Sequence, residues 1–280
     1  MLHGALGQVN RGGSRGTIAP MKLQSVELRV PDVEATARFF EQVWGLARAG
    51  SGAAVRLRGT AGLPYLIELE RGAPALLSVT FCGTRAEIGA EREVKGPEGE
   101  RYRFVVEAPV AALAAQRDRP IQLSHVVLNS KDADAAERFA LEELGFRLSD
   151  RTRHMSFVRC NRVHHCIAYA RAGFASLNHI AFEMADIDGV MRGIGRMRDA
   201  GFPPVWGPGR HGPGNNVFGY FVGPHGGVIE YTAEVEEVGD DYKVGGPEDW
   251  KWPPGRTDQW GVSNRDNERI GKAERTFPWS

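Results

Sequence analysis

Cysteine is scarce in this chain: Cys82, Cys160 and Cys166 are three among 280 residues. They form no CxxC pair and are odd in number. That excludes a disulfide framework, and it fits a reducing, cytoplasmic setting. A charge surplus is also lacking, since Lys plus Arg equals Asp plus Glu at 35 each. Nothing pulls the molecule as a whole toward nucleic acid or an anionic membrane, and neither is expected as a partner. No apolar run approaches the roughly 20 residues needed to span a bilayer. Residues 1–20, MLHGALGQVNRGGSRGTIAP, lack the continuous apolar core of a signal peptide. They read as a disordered leader, with Met21 as a candidate natural start. The remaining composition, 42% hydrophobic and 25% charged, is that of a globular protein with room for one large domain or two ordinary ones.

What the chain does have is an internal repeat. LQSVELRVPDVEATARFFEQVWGL (23–46) overlies LSHVVLNSKDADAAERFALEELGF (123–146) without a gap, and eight of 24 positions are identical. Both segments alternate as a strand, then place Asp32 or Asp132 at a helix start, where the carboxylate can accept from free N–H groups. An amphipathic helix follows and stops at Gly45 or Gly145. Downstream, LPYLIELERG overlies VHHCIAYARA, LLSVTFCG overlies LNHIAFEM, and GPEGERYRF overlies GPHGGVIEY. Each half is therefore expected to be one βαβββ module of about 100 residues. The second carries an insertion around 185–216, with Ile187, Val190, Ile194 and Met197 on one helical face and a stop at Gly201 and Pro203. The expected organisation is a leader (1–20), an N-terminal module (21–118), a C-terminal module (119–235) and an irregular Trp-rich tail (236–280). The fold class is α+β.

Three ligand-type residues sit in strand-like segments of the second half: His125 in LSHVVLN, His179 in LNHIAFEM and Glu230 in GGVIEYT. Two imidazoles and a carboxylate with no fourth ligand suit a mononuclear non-haem iron with open positions. The repeat acts as an internal control. The equivalents of these three in the first half are Ser25, Ser78 and Arg103, so the module position is kept while the ligand is missing. Alternation places His125 with Leu123 and Val127, His179 with Ala181 and Glu183, and Glu230 with Val228. If those faces meet inside one curled sheet, the three side chains converge on a metal.

Duplicated modules of this size resemble the vicinal oxygen chelate superfamily, which includes glyoxalase I, bleomycin-resistance proteins and extradiol ring-cleaving dioxygenases. The resemblance implies curled mixed sheets enclosing a metal in the C-terminal module. Within the superfamily the chain resembles the two-domain extradiol dioxygenases over roughly residues 21–235. His211, Tyr220 and Glu230, spaced by nine and then ten residues, match that family, as does the His164–His165 pair. Neighbouring strand residues face opposite ways, so only one of the pair can face the metal; the likeness assigns that role to His165, and the plain reading of His164 is a solvated residue at a strand start. It implies Fe(II), with Mn(II) accepted by the same ligands, and as substrates a catechol and O2. His165 would act as general base and then as proton donor, on the expectation of an imidazole near its ordinary pKa. Tyr220 and His211 would bond the substrate oxygens. The stretch Gly212–Asn216 departs from the family pattern.

Val127 is expected to line the cavity and Arg210 to meet a substrate substituent. Trp250, Trp252 and Trp260 are expected either to wall the pocket or to pack at the interface of a homo-oligomer. Two other readings compete. A glyoxalase-type isomerase or lyase would draw ligands from both modules, against Ser25, Ser78 and Arg103. A non-catalytic module that sequesters an aromatic ligand needs no metal triplet and would leave His165, His211 and Tyr220 idle.

Overall fold

The computed structural model describes residues 21–50 and 54–280. The leader expected over 1–20 lies outside them. The alternating segment after Met21 forms strand β1 (Lys22–Val30). Asp32 then caps helix α1 (Val33–Phe39), its Oδ1 accepting from the Ala35 N–H at 2.9 Å. The helix widens through Phe40–Trp44 and stops at Gly45, whose φ of 100° suits a residue without Cβ. Strands β2 (Ala47–Ala49), β3 (Val55–Arg58) and β4 (Ile67–Arg71) complete a first βαβββ unit. A second unit follows in the same module: β5 (Ala75–Gly83), a single helical turn α2 (Arg85–Ile88), β6 (Arg92–Lys95) and β7 (Arg101–Val106).

The C-terminal module repeats this at full length. Its first unit is β8 (Gln122–Ser130), α3 (Ala133–Glu142), β9 (Arg147–Arg151), β10 (Met155–Arg159) and β11 (Ile167–Arg171). Its second is β12 (Ser176–Glu183), α4 (Ile187–Asp199), β13 (Trp206–Arg210), β14 (Val217–Val222) and β15 (Val228–Ala233). Each half therefore holds two such units, not the single one expected from sequence. The supposed insertion at 185–216 is α4 and β13, which the first module shortens or omits. The Arg-bearing strands β2, β3 and β6 are only three or four residues long, too short to be seen by overlaying the halves.

Each module forms one open mixed sheet, ordered β2-β3-β4-β1-β5-β7-β6 and β13-β14-β15-β12-β8-β11-β10-β9. In both, the first strands of the two units pair antiparallel at the centre. One hydrophobic core runs through both modules. At their junction Trp44 stacks on Tyr231 with centroids 3.6 Å apart, and the Tyr231 hydroxyl donates to the Trp44 carbonyl at 2.6 Å. The tail is less irregular than expected. It forms helix α5 (Asn267–Ala273) and ends against both central strands, with Leu76 N–H donating to Pro278 and Leu177 N–H to Phe277. Among the described residues no helix is long and apolar enough to cross a membrane.

Two stability outcomes follow from this packing. Trp44→Ala should cost about 3–5 kcal/mol in denaturant unfolding, because it empties a fully buried aromatic site at the junction. His225, in the β14–β15 turn, packs against Phe39, Phe40 and Phe277, and burial pushes its pKa down to about 4. The unfolded chain therefore takes up that proton first. Stability should be full above about pH 6.5 and fall as pH drops toward 4, by about 3 kcal/mol from this residue. His225→Phe should shrink that acid loss in unfolding curves measured against pH.

Candidate metal centre

Three adjacent strands carry the three ligand-type residues: His125 on β8, His179 on β12 and Glu230 on β15. Ala181 of β12 pairs with His125 on one side and Glu230 on the other. His179 lies two residues before it, so the three side chains meet over the middle strand. One ligand atom from each lies within 4.8 Å of the others. His125 Nε2 and His179 Nε2 are 3.3 and 3.1 Å from Glu230 Oε2. All three residues are buried, Glu230 completely.

A bulge re-aims each histidine. Ser124 is the unpaired extra residue before His125, and Asn178 is the one before His179. The bulged residues hold the rings: Ser124 Oγ is 3.0 Å from His125 Nδ1, and Asn178 Oδ1 is 2.7 Å from His179 Nδ1. Asn178 donates through Nδ2 to Asn129, which fixes its amide with the oxygen toward His179. An amide oxygen only accepts, so His179 carries its proton on Nδ1 and presents a lone pair at Nε2. The bulge at Ser124 also breaks the expected alternation. Leu123 lies in the hydrophobic core, whereas Val127 lines the cavity with His125.

Glu230 Oε2 accepts no hydrogen bond from a described residue. A buried carboxylate without a donor costs several kcal/mol unless a cation offsets it. Two imidazole nitrogens and this orphaned oxygen converge on one point, and the donor set fits a divalent metal with open positions.

The first module shows the same register without the chemistry. Thr80 of β5 pairs with Arg103 as Ala181 pairs with Glu230, and Ser25 and Ser78 occupy the histidine positions. Arg103 forms an ion pair with Glu27, and Arg56 lies over the Tyr65 ring, 4.5 Å from its centroid. A guanidinium at the carboxylate position leaves nothing there to attract a cation.

The other sequence candidates divide. His165, His211 and Tyr220 line the same cavity as His125 and His179, and Tyr220 and His211 also lie beside Glu230. Tyr220 pairs directly with Glu230 across the β14–β15 hairpin, which is the physical origin of their ten-residue spacing. Its hydroxyl is 3.1 Å from His211 Nε2 and 3.4 Å from His179 Nε2. Burial and the Glu230 carboxylate push the Tyr220 phenol well up, so it stays a donor. Burial lowers His211 to about 4, partly offset by Glu230. His165 is held well below the ordinary imidazole range by burial, and then by His125 and His164. That departs from the expected near-ordinary imidazole.

Arg210 does not meet the cavity. Its guanidinium donates to the Asn215 carbonyl and to Glu234, at 2.6 and 2.5 Å, and pins the loop after β13. His164 is not solvated: it and His165 precede β11 rather than lying in a strand, and both are buried. Trp250 and Trp252 wall the cavity, whereas Trp260 packs under Arg210. Asn216, in the stretch that departs from the family pattern, is fully buried and reaches Glu230 Oε1 at 3.5 Å. Sequence reasoning missed it, along with Ser124 and Asn178. The available signal was a polar residue immediately before each ligand histidine.

Residues 122–231 match the family model of the Glyoxalase/Bleomycin resistance protein/Dioxygenase superfamily. That match lies within the second module. Metapyrocatechase 2 of Cupriavidus necator is 32% identical over 165 residues, which are 58% of this chain and 48% of the relative. The match thus spans about half the length of that curated relative. Among solved structures, a Mn(II)-bound glyoxalase from Novosphingobium aromaticivorans is 29% identical, with a TM-score of 0.79 over 89% of this chain and 93% of the other. A variant of homoprotocatechuate 2,3-dioxygenase from B. fuscum, 21% identical, has a TM-score of 0.75 over 88% of this chain and 81% of the other. Both modules share the vicinal oxygen chelate fold.

Metal affinity is the direct check on this site. Competition against a chelator should give one divalent ion per chain, and His125→Ala should abolish binding. Ser124→Ala and Asn178→Ala should weaken it roughly 10–100-fold, because they free the ligand rings. Affinity should also fall as pH is lowered, since protons compete for the ligand atoms.

Proposed function

We propose that the protein is an extradiol dioxygenase that cleaves a catechol-type ring next to its hydroxyls with O2. His125, His179 and Glu230 would hold Fe(II), and Mn(II) suits the same donors. The observation that carries the reading is the convergence of His165, His211 and Tyr220 on the cavity lined by His125 and His179. The metapyrocatechase relative supports it. When bound, the metal supplies Lewis-acid and template chemistry for catechol and O2.

The protein's own groups have distinct tasks. Tyr220, kept protonated, donates to a substrate oxygen, and His211 beside it holds that hydroxyl in place. His165, on the other flank of His125 with ring centroids 4.3 Å apart, accepts a substrate proton and later returns one. Val127 forms part of the cavity floor, and Phe157, Trp206, Trp250 and Trp252 contribute aromatic walls to a space of about 950 Å³. Those walls exclude water and stack on a planar ring.

The Mn(II)-bound glyoxalase likeness supports a second reading, a metal-dependent isomerase that consumes no O2. Oxygen uptake separates the two. Protein loaded with Fe(II) without air, then given a catechol and O2, should form a yellow ring-opened product with one O2 consumed per turnover. No product from a broad catechol panel, with iron shown to be bound, would sink the dioxygenase reading. His165→Ala should keep its metal and lose roughly 10²–10⁴-fold in kcat.

A further inference from the structure

Behind His165 lies a chain of buried polar groups that metal binding does not require. His165 Nδ1 is 3.0 Å from His164 Nδ1, and His164 Nε2 is 2.6 Å from Asp150 Oδ2. His164 and Asp150 are completely buried. Two tail groups also donate to Asp150: the Tyr242 hydroxyl to Oδ2 at 3.0 Å and the Gly245 N–H to Oδ1 at 2.7 Å. Ser149 donates its hydroxyl to the His164 carbonyl. Gly214 closes the other side, where a Cβ would fall 3.0 Å from His165 and 3.2 Å from His164. The two rings are therefore clamped against each other.

Counting protons along this chain gives a direction. An ionised carboxylate accepts and cannot donate, so His164 carries a proton on Nε2. Neutral His164 then has a lone pair at Nδ1, and the 3.0 Å contact needs its proton from the other ring, at His165 Nδ1. His165 Nε2 is left as an acceptor, and it has no hydrogen bond to a described residue. We propose that Asp150 and His164 are positioning residues that fix His165 as its Nδ1–H tautomer, so that an unprotonated Nε2 serves the metal cavity. The catalytic consequence rests on the dioxygenase reading; the tautomer assignment does not.

The same chain gives the proton a path. When a substrate O–H bond breaks and the proton forms a bond to His165 Nε2, the Nδ1–H bond of His165 breaks. That proton moves to His164 Nδ1. His165 is again neutral, and the positive charge rests on His164 against the Asp150 carboxylate. It is thereby kept away from the other cavity histidines. The reverse transfer returns the proton to His165 Nδ1, so that its Nε2–H can be given up and the starting tautomer is restored.

Nitrogen-15 NMR of histidine-labelled, Zn(II)-loaded protein at neutral pH tests the assignment without turnover. His164 should appear as the Nε2–H tautomer and His165 as the Nδ1–H tautomer. A proton on Nε2 of neutral His165 would overturn the proposal. In Asp150→Asn, Gly245 N–H keeps the amide oxygen and the NH2 group turns to His164, so both tautomers should invert. The Fe(II)-loaded variant should lose on the order of 10²-fold in kcat with catechol KM and metal content unchanged. Inverted tautomers with wild-type kcat would refute the positioning role. If Asp150→Asn fails to fold, the wild-type spectrum still decides the assignment, and His164→Gln tests the turnover loss. A wild-type protein with the expected tautomers but no ring cleavage would defeat the dioxygenase reading while sustaining the assignment.

Discussion

A fully buried carboxylate with no hydrogen-bond donor on one oxygen is the constraint on which the site depends. Glu230 is held between two imidazoles whose Nδ1 atoms are tied to Ser124 and Asn178. The rings thus turn their Nε2 atoms toward Oε2, and only a cation satisfies all three. Every other feature of the cavity is arranged around that point. Tyr220 is its cross-strand partner, Asn216 touches its second oxygen, and His165 packs on one of its histidines.

Bulges explain how a repeated fold acquires such a point. Both sheets interrupt their central pairing at equivalent places, beside Gln24 and Leu77 in the first module and beside Ser124 and Asn178 in the second. The backbone device is common to both halves. Only in the second does it aim histidines inward and place a hydrogen-bonding side chain behind each. The first module instead fills the corresponding space with the Arg103–Glu27 pair, and contributes Trp44 to the shared junction.

Much of this was legible in the sequence because the repeat carried it. The two Asp caps, the Gly45 and Gly145 stops and the equivalence of His125, His179 and Glu230 with Ser25, Ser78 and Arg103 all appear as found. The doubling of units within each half was hidden, because strands such as Val55–Arg58 are only four residues long, too short for their alternation to stand out. The placements of His164 and Arg210 were misread for a related reason. Neither depends on local pattern. Asp150, fourteen residues away, buries His164, and Glu234, on the far side of a hairpin, holds Arg210. The tail was the least legible part, since its wall of Trp250 and Trp252 is defined only by the surface it covers.

The most direct test of the account is crystallographic. Crystals loaded with Fe(II) or Mn(II) under exclusion of air would be measured at the metal's absorption edge. The account predicts one anomalous peak per chain, bonded to His125 Nε2, His179 Nε2 and Glu230, with open positions facing His165 and Tyr220, and none at Ser25, Ser78 and Arg103. A peak elsewhere, a second ligand set in the first module, or no peak in metal-saturated crystals would contradict it.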